Sequence, residues 1–377
     1  MRAAVVGIGF VGVLHVEALR RVGVEVAGVA GSSLDRAREK AESAGLPAPY
    51  PSFDAAVEDP AVDVVHLATP NFLHYEQAKA VLAAGKHVVC EKPLAVTSSE
   101  TGELLRLARE SGLVHCTNFN LRFYPLCHEA RDRCRSGALG ELWSVHGTYL
   151  QDWLLLPTDW NWRLDPERGG SLRAVADIGS HWLDLTSFVT GLRPVEVFAE
   201  LATVLPVRRR PAGPVETFAV GGRETEEVGV ETEDAAFILV RYDGGARGSV
   251  TVSQVSAGRK NALSFEVDGS GAALAWSSER CEELWIGRRE AANEVLLRDP
   301  SLLGEPARSV AGLPGGHTEG YADTFAALYR EVYRDIEAGG PRAEPSYPTF
   351  AAGHDQVVVG EAISRSAREG RWVTVAP

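Results

Sequence analysis

Over the first 120 residues, short apolar runs alternate with stretches whose apolar positions recur at helical spacing. The runs at residues 3–6, 24–29, 62–68, 87–90 and 114–118 read as buried strands, and the segments at 11–21, 34–43, 75–84 and 98–111 as helices. This alternation is the pattern of βαβ units, in which a crossover helix returns the chain to a parallel neighbour. Gly23, Gly45, Gly85 and Gly112 stand where those helices should stop, as glycine C-caps do. The pattern predicts a doubly wound parallel sheet over residues 1–120.

Beyond residue 120 the rhythm changes. A helix is predicted at 125–136, then a long strand at 142–150 and further strands at 195–203, 235–243, 246–255, 262–268 and 272–276. Asp243-Gly244-Gly245 joins two of these as a hairpin turn. Successive strands with few intervening helices imply an α+β domain around a mainly antiparallel sheet, here placed at residues 121–350. Residues 206–233, rich in Pro, Gly and charge, read as a surface loop, with Arg208-Arg209-Arg210 in solvent. Helices at 318–337 and 351–368 and a short strand at 372–375 complete the chain. Residues 351–377 are expected to pack back on the body.

At 377 residues the chain is long enough for about two domains. Its net charge of −13 disfavours nucleic acid and anionic membrane as partners, since both need a positive footprint. Five cysteines without a CxxC pair argue against a disulfide framework. With no leader pattern and no long apolar run, the expectation is a cytoplasmic protein.

Three stations carry the chemistry. The first is Gly7-Ile8-Gly9-Phe10-Val11-Gly12, a G-x-G-x-x-G that follows a strand and opens a helix. Its first glycine allows the tight turn, its second lets a pyrophosphate approach the backbone, and its third permits close helix–strand packing. The next strand ends at Gly31-Ser32-Ser33 without the carboxylate that usually accepts from the ribose of NAD. Ser32, Ser33 and Arg36 could instead receive a 2′-phosphate, so the cofactor expected is NAD(P), leaning to NADP; Ser33 could equally be an N-cap. Ala68, Thr69, Pro70 and Asn71 end another strand, with His74 after them, and suit a nicotinamide ribose.

The second station is Glu91-Lys92-Pro93, which ends the strand at 87–90. Oxidising a secondary alcohol requires its hydroxyl proton to leave as hydride departs, and a lysine desolvated beside a cation can take or steer that proton. The third is Asp177-Ile-Gly-Ser-His181, with Asp184 beyond it. Spacing of i, i+4 and i+7 predicts one helical face, ending before Gly191. A carboxylate there can grip substrate hydroxyls and a histidine can carry a proton. Trp160-Asn161-Trp162-Arg163 offers indoles for sugar or nicotinamide and a guanidinium, while Tyr321, with His317 and Glu319, follows a Pro-Gly-Gly turn suited to a site-lining loop. Without HExxH or zinc-type spacing, no metal is expected.

At these positions, and at residues 118–122, the sequence resembles the glucose–fructose oxidoreductase/inositol dehydrogenase family nearly end to end. Residues 147–153 look like the branch containing levoglucosan dehydrogenase and related sugar oxidoreductases. The resemblance implies a Rossmann domain and an open-faced sheet domain that often mediates homo-oligomers, dimers or tetramers. It implies that Lys92, Asp177 and His181 form the catalytic group, with His181 the proton carrier and Lys92 polarising the reacting oxygen. Cofactor contacts are implied for Glu91, Lys92, Asn120 and the Trp162-Arg163 pair. Substrate contacts fall to Lys92, Arg122, Trp160, Asp177, His181 and Tyr321. The activity implied is NAD(P)-dependent oxidation or reduction of a sugar, sugar derivative or cyclitol. Redox-assisted glycoside cleavage with bound NAD and a non-catalytic dinucleotide-binding regulator are the alternatives.

Overall fold

The computed structural model describes residues 1–212 and 225–376. Its first ten elements are β1 (Arg2–Val6), α1 (Phe10–Arg21), β2 (Glu25–Ala30), α2 (Leu34–Ala44), α3 (Phe53–Glu58), β3 (Val64–Leu67), α4 (Asn71–Ala83), β4 (His87–Cys90), α5 (Ser98–Ser111) and β5 (His115–Thr117). The strands pair in parallel in the order β2-β1-β3-β4-β5. They read as continuous apolar runs because both faces are covered: β3 is buried at all four positions. The order in which strands are added reverses between β1 and β3, so their carboxyl ends flank the crevice where such sheets bind ligands. Left-handed glycines stop α2 at Gly45 and α5 at Gly112, and α5 opens on a Thr97–Glu100 capping box. The six-residue α3 was not predicted; it is too short to show a period.

The second sheet is built from β6 (Leu142–Leu150), β7 (Pro194–Ala202), β10 (Ala235–Tyr242), β11 (Arg247–Ser253), β12 (Ala262–Gly269), β13 (Ala273–Ser277), β14 (Glu283–Gly287), β15 (Glu294–Leu297) and β16 (Val373–Thr374). β8 (Val207–Pro211) and β9 (Thr225–Gly229) pair separately. The order in the nine-stranded sheet is β15-β14-β13-β12-β6-β11-β10-β7-β16. Every pair is antiparallel except β6 with β11. Helices α6 (Pro125–Arg135), α7 (Pro166–Gly169), α8 (Ser180–Thr190), α9 (Glu305–Val310), α10 (Tyr321–Glu337) and α11 (Phe350–Glu369) complete the elements. One face of the sheet, including Val145, Val250, Phe265 and Val267, forms a core with Leu126, Trp182, Leu185 and Ile363 of α6, α8 and α11.

Contacts divide the chain otherwise than the linear boundaries at 120 and 350. The first unit comprises Met1–Asn120, Glu167–Gly170 and Ala322–Val357; the second comprises Leu121–Pro166, Ser171–Tyr321 and Val358–Pro377. Most of α10 and the start of α11 therefore belong with the nucleotide fold.

The surface loop expected at 206–233 is corrected in its described parts. β8 and β9 form a ladder, and Arg208 is fully buried. Its guanidinium donates to Asp234 Oδ1 at 2.6 Å and to the Leu154 carbonyl at 2.8 Å. Asp234 also accepts from the buried Arg173. A buried guanidinium is tolerable only when so paired, and no local pattern announces a partner that sits 26 residues away. Residues 213–224 lie outside the described residues.

Candidate active site

In the first unit, the turn after β1 shows what each glycine does. Gly7 has φ +92°, and a Cβ there would stand 2.3 Å from the Ala68 carbonyl oxygen. A Cβ on Gly12 would stand 1.9 Å from the Gly7 carbonyl oxygen. These two glycines are demanded by the protein's own packing. Gly9 is different: nothing lies within 4 Å of a Cβ placed there. Its bareness is unexplained by packing and fits an approaching pyrophosphate. Gly9 caps α1, which has no side-chain cap and no acid in its first turn, so its amides remain available to an anion. Phe10 is 54% exposed beside it, and Val11 is half-buried.

At the end of β2, the Ser33 hydroxyl accepts from the Arg36 amide at 3.4 Å, so Ser33 is an N-cap. Ser32 and the Arg36 side chain are exposed. The first-turn carboxylate of α2 is Asp35, 96% exposed and near Arg38.

Ala68 and Thr69 follow β3, and Pro70 caps α4. Three residues expected at the cofactor are occupied with backbone or side-chain partners. Asn71 donates to the Gly169 carbonyl at 3.2 Å. Asn120 donates to Thr324 Oγ1 at 2.7 Å. His74 is fully buried, with Nδ1 2.7 Å from the Pro93 carbonyl and Nε2 2.8 Å from the Thr69 carbonyl. Both ring nitrogens of His74 face backbone, so it ties the turn after β3 to the Lys92-Pro93 turn. Burial holds its pKa below the usual histidine value, while both carbonyls pull the other way.

Lys92 lies two residues past the end of β4, at the carboxyl edge of the sheet, and its peptide bond to Pro93 is cis. The Glu91 carboxylate accepts from the Lys92 amide at 3.2 Å, from Asn118 Nδ2, and at 3.1 Å from His15 Nε2. Burial raises the Glu91 pKa, but these donors and the nearby Lys92 charge outweigh it and hold the carboxylate below its ordinary range.

In the second unit, Asp177 sits in a π-helical turn, Val175–Gly179, that runs into α8. The simple one-face helix is thereby corrected. Wide turns of this kind shift every later side chain relative to the earlier ones. Asp177 Oδ2 accepts from Gln254 Nε2 at 2.9 Å, and Oδ1 lies 3.2 Å from Arg163 Nε. Gln254 is in turn held by Arg173 at 3.4 Å. Asp184 faces other partners: it is 1% exposed, at 2.7 Å from Arg122 Nε and paired with its Nη2 as well. Arg122, expected at the substrate, is thus held in a bidentate pair with the Phe188 ring against it, 5.1 Å away.

His181 is 7% exposed at the start of α8, with the Tyr149 ring 6.4 Å away. Burial pushes the Tyr149 hydroxyl well above its usual pKa, and that hydroxyl donates to Asn261 at 2.7 Å. Arg163 lies 4.4 Å over the Trp162 ring. Trp160 packs against Leu154, Leu164 and Val230 as core, and Tyr321 packs against the main core of the second unit. Sequence reasoning missed Gln254, Arg173 and Glu233, whose contacts with the 173–177 segment span 58 to 81 residues. Among the described residues, His146, Glu266 and Asp268 form a group whose donor atoms lie within 4.8 Å of one another.

A glycine loop shaped for pyrophosphate on a doubly wound sheet, joined in one chain to a mainly antiparallel α/β unit, defines a dinucleotide-binding oxidoreductase class. The family described as "Oxidoreductase family, NAD-binding Rossmann fold" matches residues 1–119, and the "GFO/IDH/MocA C-terminal domain" matches residues 127–275. The chain belongs to this GFO/IDH/MocA oxidoreductase family. It is 31% identical to levoglucosan dehydrogenase of Pseudarthrobacter phenanthrenivorans over 92% of this chain and 88% of that protein. A solved levoglucosan dehydrogenase in complex with NADH and L-sorbose superposes with a TM-score of 0.89 at 28% identity, covering 100% of this chain and 99% of the other. An inositol dehydrogenase homologue complexed with NAD+ from Azotobacter vinelandii gives a TM-score of 0.84 at 28% identity, covering 99% and 97%. No helix among the described residues is long and apolar enough to cross a membrane.

Proposed function

We propose that this chain transfers a hydride between a nicotinamide dinucleotide and a secondary alcohol or ketone of a sugar, sugar derivative or cyclitol. The observation that carries the dinucleotide half is Gly9, left bare in a loop whose other two glycines are packed solid. The names of the relatives supply the substrate class: one acts on levoglucosan and another is an inositol dehydrogenase homologue. A bound nicotinamide supplies the hydride acceptor or donor. Lys92 polarises the reacting oxygen, His181 carries the hydroxyl proton, and Asp177 grips substrate hydroxyls with its carboxylate fixed by Gln254 and Arg163. Screening sugars and cyclitols with both cofactors tests this by absorbance. Stoichiometric reduced cofactor supports the dehydrogenase. Glycoside turnover without it would mean redox-assisted cleavage, and binding without turnover would mean a regulator.

We read the cofactor preference as NADP at least equal to NAD, because the exposed Ser32 and Arg36 stand at the end of β2 without a carboxylate on the strand end itself. A charge-assisted hydrogen bond from Arg36 to a 2′-phosphate contributes about 1.5–3 kcal/mol, or roughly ten- to a hundredfold in affinity. Calorimetric titration should show that preference falling in Arg36→Ala; strong NAD preference unaffected by the change would overturn it. The open face of the second sheet carries Phe237, Leu239, Val295 and Leu297, which are 46–57% exposed and in register with one another, and we read it as a self-association surface. Sedimentation showing a monomer at micromolar concentration would remove that reading.

A further inference from the structure

Behind Lys92, inside the first unit, four ionisable side chains form an unbroken hydrogen-bonded file. Glu91 Oε1 lies 3.1 Å from His15 Nε2, His15 Nδ1 lies 3.0 Å from His66 Nδ1, and His66 Nε2 lies 2.9 Å from the Tyr333 hydroxyl. Both histidines are fully buried. The rings of Phe325 and Tyr329 from α10 pack against them, which keeps the file narrow. Tyr333 also lines a surface depression of about 250 Å³, with Val22, Val24, Arg334 and Glu337 on its wall. Glu91 follows the carboxyl end of β4, whereas Val24 precedes the amino end of β2. The file therefore runs alongside the sheet from the catalytic edge to the opposite edge.

We propose that Glu91, His15, His66 and Tyr333 form a proton path connecting the Lys92 end of the sheet with solvent at the Tyr333 depression. The proposal rests on the oxidoreductase reading, since each hydride transfer to a ketone consumes one proton and each oxidation releases one. Hydrogen-bond polarity along the file is determined by its inner end. Glu91 is ionised, held so by Asn118 and the Lys92 amide, and accepts from His15 Nε2–H. A neutral imidazole has one N–H, so His15 Nδ1 accepts from His66 Nδ1–H, and His66 Nε2 accepts from the Tyr333 hydroxyl. All three donors point inward.

One proton passes at each link without any charge stranded in the middle. His15 Nε2 gives its proton to Glu91 and His15 Nδ1 takes one from His66. His66 Nε2 takes one from Tyr333, and water in the depression reprotonates Tyr333. Each N–H or O–H broken is matched by one formed. Glu91 is left neutral and can return a proton toward Lys92, and both imidazoles are left in the opposite tautomer, from which the links run outward in oxidation; a second inward transfer follows once both rings have returned to the first tautomer. The charge of Lys92 acts on Glu91 and that of Asp63 on Tyr333, and Arg330, Arg334 and Glu337 line the depression with Tyr333. Burial and the neighbouring His15 hold the His66 pKa well below the usual histidine value, which keeps the His66 ring uncharged at rest.

The test uses the full-length protein and two variants. Tyr333→Phe keeps the ring that stacks on His66 and removes only the hydroxyl; His66→Gln breaks the middle. Each should lower kcat roughly tenfold, less than the roughly 10²–10⁴-fold expected for a group that handles the transferred proton itself. The solvent deuterium isotope effect on kcat should rise, and calorimetric dinucleotide affinity should stay within about twofold, since no binding group is lost. Wild-type kcat and isotope effect in Tyr333→Phe would overturn the path, and so would a lower kcat with an unchanged isotope effect, the mark of a structural role. A wild type with no turnover on any substrate would instead sink the enzymatic reading. Imidazole ¹⁵N shifts then decide the path without turnover: His15 should carry its proton on Nε2 and His66 on Nδ1, and matching tautomers would overturn it.

Discussion

Asp177 owes its position to partners that no local pattern discloses. Its two oxygens are fixed by Gln254 from the β11 end and by Arg163 from the Trp-Asn-Trp-Arg segment, 77 and 14 residues away. The residue itself was legible, because Asp-x₃-His is a contiguous motif; the support was not, because it exists only once strands have paired. The same contrast separates Lys92, marked by a strand end and a proline, from His74, whose neighbouring carbonyls come from two different turns. Two outcomes follow from the assigned roles. Lys92→Met should lower kcat by at least roughly 10², the scale for losing a polarising or proton-handling group, with dinucleotide affinity nearly unchanged. Wild-type-like kcat would take Lys92 out of the chemistry. Asp177→Ala should raise KM and lower kcat together, since a hydroxyl clamp acts in ground and transition states alike. A folded variant with unaltered KM would refute the clamp.

At the scale of elements, alternation of apolar run and helix disclosed the first sheet in full, because each strand is buried on both faces and each helix stops near a glycine. Segments of only four to six residues, too short to show a period, escaped: α3, β14, β15, α9 and the β8–β9 ladder. The π-helical turn escaped for another reason, since helical spacing looks the same until a wide turn shifts the register. What holds that turn is the buried Glu233 carboxylate. It accepts from the Arg173 amide at 2.9 and 3.0 Å and from the Val175 amide at 2.9 Å. Burial raises its pKa, partly offset by those amides. Glu233→Ala would leave two buried amides unpaired at about 1–3 kcal/mol each, so a loss of at least about 2 kcal/mol is expected. Glu233→Gln, which keeps one carbonyl acceptor, should lose less. Denaturant unfolding of the second unit checks this, and equal stability in wild type and Glu233→Ala would show that the carboxylate does not hold the turn.

For the whole molecule, the buried histidines set how stability responds to acid. Burial lowers His115 to a pKa of about 4 and, with Arg131 and Arg122 nearby, lowers His128 to about 3, both from an ordinary 6.5. His115 Nδ1 also accepts from the Phe350 amide at 3.1 Å, a bond that protonation would break. His66 and His74 are shifted in the same direction. Between the folded values and 6.5, the unfolded chain binds protons that the native chain refuses, so stability must fall as pH falls through that window. At pH 5 the solution lies about 1.5 units below the unfolded value of both His115 and His128 and still above their folded values, which costs about 2 kcal/mol apiece at 1.36 kcal/mol per unit. Carboxylates held low, such as Asp59 and Asp234, lose their contribution only further down, near and below their unfolded value of 3.8. The interval from pH 7 to 5 therefore belongs to the histidines. His115 lies in the first unit and His128 in the second, so both should lose stability, and their transitions should be followed separately. Calorimetric midpoints should drop in both across this interval, and His128→Leu should flatten the dependence of the second alone. Midpoints unchanged from pH 7 to 5 in the wild type would mean that these rings already accept protons in the folded state, against the burial that defines their places in the fold.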